Sequence, residues 1–171
     1  MHMRNPAFLV LTLALFAWTP PAQAAQRVAV FDFELIDTSL DGAMYGTQAA
    51  ETARLKMISE RLRKDLENSG KFEVVDIAPV EAAARANNLQ ACGGCDVSLA
   101  EKVGADLSIT GTVQKVSNLI LNMNIYIRDA HTKTLISSTS ADFRGNTDES
   151  WARSLSFLVR NYLLAPNFGT D

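Results

Sequence analysis

Apolar residues crowd the stretch from Arg27 to Leu35, where Val28, Ala29, Val30, Phe31, Phe33 and Leu35 are interrupted at alternate positions by Asp32 and Glu34. The pattern predicts a strand that enters a sheet buried and leaves it half exposed, with Asp32 and Glu34 on the wet face. From Ala49 to Ser69 the period changes. Leu55, Ile58, Leu62 and Leu66 recur at spacings of three and four with charged residues around the other side, which predicts an amphipathic helix ended by Gly70. Lys71 to Asp76 is β-rich again, so the first half opens as a strand-helix-strand unit with parallel strands. Pro79 suits the start of a short helix over residues 80–86, and a second short helix over 97–103 is stopped by Gly104. Residues 36–47, by contrast, hold Asp37, Ser39, Asp41 and Tyr45 without any period and read as a long loop.

The second half alternates. Residues 106–116, 119–129 and 135–143 each switch between apolar and polar, and in the middle one Leu119, Leu121, Met123, Ile125 and Ile127 share a face. Short links at 115–118 and 130–134 make these an antiparallel meander. Thr147 can cap a last helix whose first turn carries Asp148 and Glu149, and which puts Trp151, Leu155, Leu158, Val159 and Tyr162 on one side. The order β-α-β-(short helices)-β-β-β-α predicts an α/β (α+β) fold, a mixed sheet of about five strands with helices packed on it, in one domain over residues 25–171.

The amino terminus changes the compartment. Arg4 precedes an apolar run from Ala7 to Ala17, then Pro20, Pro21 and the small residues of Ala22-Gln23-Ala24, which is the form of a signal peptide cleaved after Ala24. A membrane anchor is the competing reading, but the run is about half of the roughly 20 residues a bilayer span needs. No Cys stands at the cleavage point for a lipid anchor, and no other segment is apolar enough to span. The mature chain is expected to be soluble in the periplasm. Removing residues 1–24 leaves 15 basic against 19 acidic residues, a charge of −4. So mild an acidic balance argues against a nucleic-acid partner.

Three blocks carry a resemblance: Arg27-Val28-Ala29-Val30-Phe31-Asp32-Phe33, Lys71-Phe72-Glu73-Val74-Val75-Asp76, and Val103-Gly104-Ala105-Asp106-Leu107-Ser108-Ile109-Thr110-Gly111-Thr112-Val113. Together they resemble the fold of the TolB amino-terminal domain and CsgG. With Cys92, Cys95, Arg128-Asp129-Ala130 and Ser150-Trp151 added, the chain resembles a bacterial family of exported proteins of unknown function. The resemblance implies a fold and no chemistry. Lys133 departs from the glycine usual in that hairpin. The chain also lacks a lipid anchor and a propeller, so neither secretion-pore nor Tol function transfers.

Candidate chemistry is sparse. In an oxidising compartment Cys92-Gly93-Gly94-Cys95 reads first as a disulfide closing a small loop, with redox exchange or metal binding as alternatives. His131 is the only histidine after the leader and falls in a hairpin turn, while Met57 and Met123 sit on core spacing. Asp32 and Glu34 could pair for acid/base work, although solvated strand positions explain them as well. Ser39, Ser98 and Ser150 have no histidine in any motif, and Gly42 and Gly46 are not followed by Lys-Ser/Thr as a phosphate loop requires. The expectation is therefore a non-enzymatic envelope module without cofactor or metal. It would recruit a protein or small ligand through the loop bearing Asp37, Ser39, Asp41 and Tyr45, the Cys loop, or a sheet edge. The alternative is a redox or metal-handling accessory using Cys92 and Cys95.

Overall fold

The computed structural model describes residues 25–165; the expected signal peptide, residues 1–24, lies outside them. Six strands form one mixed sheet in the order β3-β1-β4-β5-β6, with β2 also paired to β4. The strands are β1 (Gln26–Val30), β2 (Glu34–Asp37), β3 (Phe72–Val74), β4 (Leu107–Lys115), β5 (Leu121–Asp129) and β6 (Leu135–Phe143). The helices are α1 (Leu40–Tyr45), α2 (Ala49–Asn68), α3 (Ala78–Arg85), α4 (Cys95–Lys102) and α5 (Asp148–Leu158), the last continued by a π-helical turn, Val159–Leu163. β1 pairs in parallel with β3 and β4, and β4, β5 and β6 form the antiparallel meander. The α/β architecture follows the hydrophobic pattern.

Helices cover the sheet on two faces. Ile58, Leu62 and Leu66 of α2 and Trp151, Leu155 and Leu158 of α5 pack on Val28, Val30, Ile109, Met123 and Ile125. On the other face Val80 and Ala84 of α3 and Leu99 and Ala100 of α4 close over Ala29 and Phe31. Each large side chain so buried contributes about 1.5–3 kcal/mol, which is why the three-four spacing in α2 was a dependable signal.

The first strand is two strands. From Val30 to Glu34 the chain advances four positions while its partners advance three, from Ile109 to Thr112, so one extra residue is accommodated in Phe31-Asp32-Phe33. An inserted residue reverses the alternation. The expectation that Asp32 and Glu34 share a wet face is therefore corrected. Asp32 pairs with Arg63 at 2.7 Å and Arg85 at 3.6 Å, and Glu34 accepts the Leu89 N–H at 2.8 Å. Side chains of α2 satisfy the backbone freed at the break: Ser59 Oγ accepts the Phe33 N–H at 2.9 Å, and Arg63 donates twice to the Val30 carbonyl. The Phe33 ring lies where a Cβ on Gly111 would be, so β4 needs glycine there.

Three further expectations change, and the turn at Lys133 is defined. Residues 36–47 are not an irregular loop, because β2 runs to Asp37 and Ser39 then caps α1 by accepting the Gly42 N–H. Leu119 does not join the β5 core face; β5 starts at Leu121 and Leu119 stands exposed in the turn before it. Tyr162 is exposed and Leu163 buried, since the π-helical turn inserts one residue and rotates the core stripe by a position. Lys133 adopts φ 63°, so this hairpin keeps the left-handed turn without glycine.

Replacing Ser59 with Ala leaves the buried Phe33 N–H without its acceptor, and should cost roughly 1–3 kcal/mol by denaturant unfolding with no change in the m-value.

Candidate functional site

Lys115, which the pattern left where the strand 106–116 overlaps the link 115–118, is the last residue of β4 and is 1 % exposed. Its Nζ donates to Glu51 Oε1 at 2.7 Å and Asp37 Oδ2 at 3.1 Å, so one ammonium ties the end of β4 to the end of β2 and the first turn of α2. Both carboxylates are further satisfied. Asp37 Oδ1 accepts the Ser39 N–H and hydroxyl at 2.9 and 2.6 Å, and Glu51 accepts the Gln48 N–H and the Asn146 side-chain amide at 3.1 and 2.8 Å. Asn146 in turn accepts from Trp151 Nε1 at 3.0 Å and Arg54 Nη1 at 3.1 Å.

Burial acts on all three charges, and the partners outweigh it. Burial alone would raise the Asp37 and Glu51 carboxyls, but hydrogen bonds from Ser39 and Lys115 to the first, and from Lys115, the Gln48 N–H and Asn146 to the second, hold both below their ordinary range. Burial would likewise lower the Lys115 ammonium, while Glu51 and Asp37 raise it. The cluster therefore stays charged at neutral pH. A Cβ on Gly42 would overlap the Asp37 carboxyl, so α1 has to pass this point on a glycine.

A hollow of about 880 Å³ opens above the cluster, bordered by Asp41, Tyr45, Arg54, Asn118 and Leu119. Asn118 Nδ2 donates to Asp41 Oδ2 at 2.7 Å, which ties α1 to the β4–β5 turn. Large apolar side chains stand on these two segments. Leu40 is 74 % exposed and Met44 62 % on α1, and Leu119 is 68 % exposed in the β4–β5 turn, with Tyr45, Val116 and Ile120 also exposed. Of the four loop residues singled out from sequence, Asp37 and Ser39 thus lie beneath the surface, and Asp41 and Tyr45 form its rim. Lys115, Glu51 and Asn146 were missed. A lysine closing an alternating strand and a Glu in a helix's first turn carry no local sign of burial.

The remaining candidates lie elsewhere. The Cys92 and Cys95 sulfurs are at disulfide-bonding distance, with Gly93 and Gly94 both at positive φ. The helix that follows is tied through buried Asp96 to Ser108 at 3.0 Å and to Arg128 at 3.2 Å. Ser108 and Lys115 are seven residues apart on β4, roughly 23 Å along a strand, so the Cys loop and α1 are not one site. Ser98 Oγ bonds to the Gly94 carbonyl, Ser150 to Thr147, and His131 Nε2 lies 3.4 Å from Asp106. Among the described residues no group of three His, Cys, Asp or Glu side chains converges to hold a metal, and no helix is long and apolar enough to cross a membrane.

The family described as "Protein of unknown function (DUF2380)", DUF3280, matches residues 26–163. The chain belongs to this family. No curated protein sequence matches this DUF3280 member significantly. Its fold is that of the LpoB C-terminal domain from Salmonella enterica, at 19 % identity over 71 % of this chain and 84 % of that one, TM-score 0.51. The LpoB C-terminal domain from Escherichia coli is similar at 17 % identity over 72 % and 86 %, TM-score 0.51. A PelC dodecamer from Paraburkholderia phytofirmans is similar at 12 % identity over 82 % and 90 %, TM-score 0.50.

Replacing Lys115 with Met leaves two buried carboxylates unpaired, and should cost this DUF3280 domain about 3–5 kcal/mol at pH 7 by chemical unfolding. In the native protein the carboxylates' contribution is present above their unfolded values of 3.8 and 4.5 and is lost as pH falls through the lower folded values. That of Lys115 is present below 10.5 and is lost as pH rises through its higher folded value. The variant should instead gain stability on mild acidification, as its unpaired carboxyls take up protons.

Proposed function

We propose that the protein is a non-enzymatic accessory module of the cell envelope, exported to the periplasm, which recruits a protein partner through α1 and the β4–β5 turn. One observation carries the reading: Leu40, Met44, Tyr45, Val116, Leu119 and Ile120 are all exposed on two segments joined by the Asp41–Asn118 hydrogen bond. Single surface apolar residues are ordinary, but six large ones on two short segments that a hydrogen bond joins, with Tyr45 and Leu119 bordering one hollow, are what an interaction surface presents. The buried Lys115 cluster supports it further, because it holds both segments in place before a partner arrives and so lowers the ordering cost of binding. The export signal supports the periplasmic location. The fold shared with LpoB and PelC domains fits an envelope role without specifying the partner.

The alternative, a redox or metal-handling accessory, rests on Cys95 standing at the start of α4, where a thiolate would be favoured. The pair follows α3 rather than a strand, and Asp96 is committed to Ser108 and Arg128. Here Cys92 and Cys95 form a structural disulfide.

The tests separate these readings. Met44→Asp with Leu119→Asp should abolish capture of an envelope protein from a periplasmic extract, while the melting temperature stays within about 2 °C, since both positions are exposed. Unchanged capture would discard the surface. Cys92→Ser with Cys95→Ser should leave capture intact and lower stability modestly, as the loop it opens is short. Loss of a thiol-exchange activity in that double variant would instead establish the alternative.

A further inference from the structure

We propose that the crevice beyond the C-terminal ends of β1 and β3 is a binding site for a small organic amine with an apolar body. The inference is independent of the partner surface, which lies past the end of β4.

Topology makes the crevice. β1 lies between its parallel neighbours β3 and β4. The connection to β3 runs through α2 on one face, and that from β3 to β4 runs through α3 and α4 on the other. Where successive connections leave a parallel sheet toward opposite faces, the helices part beyond the strand ends and a cleft opens between them. The cleft is present, with a volume of about 710 Å³, between the Phe31-Asp32-Phe33 break, α2 and α3. That is the size of sites for drug-sized ligands. Leu55, Ile77, Ala84 and Leu89 give it apolar walls, and Ala53 of α2 leaves room at the mouth.

The charges on the wall select the ligand. Asp32 is neutralised by Arg63 and Arg85, Arg85 is shared with Glu81, and Lys56 is paired with Glu60. Glu34 is different: among the described residues no cation pairs with it, and it is held by backbone N–H groups of Leu89 and Gln90. Burial raises its carboxyl above the ordinary range despite those bonds, the sign of a charge short of compensation. An ammonium entering the cleft would supply the missing charge through a charge-assisted hydrogen bond, while its apolar body covers the walls. An anion would meet Glu34 directly, and a metal ion would find one free carboxylate where it needs several ligands.

The test uses the purified protein and 2-phenylethylamine, with 2-phenylethanol as the same body without charge, read through the amide NMR signals of Leu89 and Gln90. The amine should saturate these shifts and bind at least roughly tenfold more tightly than the alcohol. Glu34→Gln keeps an oxygen for Leu89 but removes the charge, and should bring amine and alcohol to parity. Ala53→Phe, at an exposed helix position, should abolish binding of both by filling the mouth. Equal affinity of the native protein for amine and alcohol, undiminished amine binding in Glu34→Gln, or no saturation by about 10 mM would overturn the proposal.

Discussion

A lysine ammonium almost wholly withdrawn from water constrains everything near it. Isolated, such a charge would cost several kcal/mol; it is tolerable only because Asp37 and Glu51 reach it together and are themselves fully hydrogen-bonded. Geometry then leaves little choice. The end of β4, the end of β2, the first turn of α2 and the Asn146 segment have to meet at one point. α1, which lies between Asp37 and Gln48, is held at both ends by members of that cluster. Its apolar side chains Leu40, Met44 and Tyr45 are exposed.

A second constraint is the extra residue between β1 and β2. It breaks a run of ladder hydrogen bonds, and the groups it frees are recovered by Ser59 and Arg63. Two polar residues of α2 thereby become part of the sheet. The same residue turns Glu34 off the face of Val28 and Val30, which α2 and α5 cover, and toward Leu89, where its carboxylate becomes the half-buried wall of a cleft. One irregularity in one strand accounts for both the sheet contacts of Ser59 and Arg63 and the place of Glu34 in that cleft.

The domain shares its sheet and helices with LpoB and PelC domains at identities of 12–19 %. At that distance the hydrophobic framework is what persists, and activity resides in the groups grafted on it. In this chain the two places proposed for such groups lie apart, beyond the end of β4 and beyond the ends of β1 and β3. Neither involves the Cys92–Cys95 loop, the most conspicuous local motif in the chain.

Much of the framework was legible residue by residue. Ile58, Leu62 and Leu66 at helical spacing, Met123, Ile125 and Ile127 at strand spacing, and the Thr147 cap all report local periodicity or local hydrogen bonding, which neighbours in sequence suffice to express. Asp37, Ser39, Asp41 and Tyr45 stand out as a group because they interrupt that periodicity. Lys115, Glu51 and Asn146 were invisible, because the burial of a charge depends on partners 64 and 78 positions away, and nothing in the flanking residues encodes their approach. Tyr162 and Leu163 exchange places through a single π-helical turn, and Glu34 changes face through a single inserted residue. Periodicity chooses which elements form and which side of each seeks the core; the pairing of distant charges, and the one-residue shifts that packing imposes, arise only when those elements are assembled.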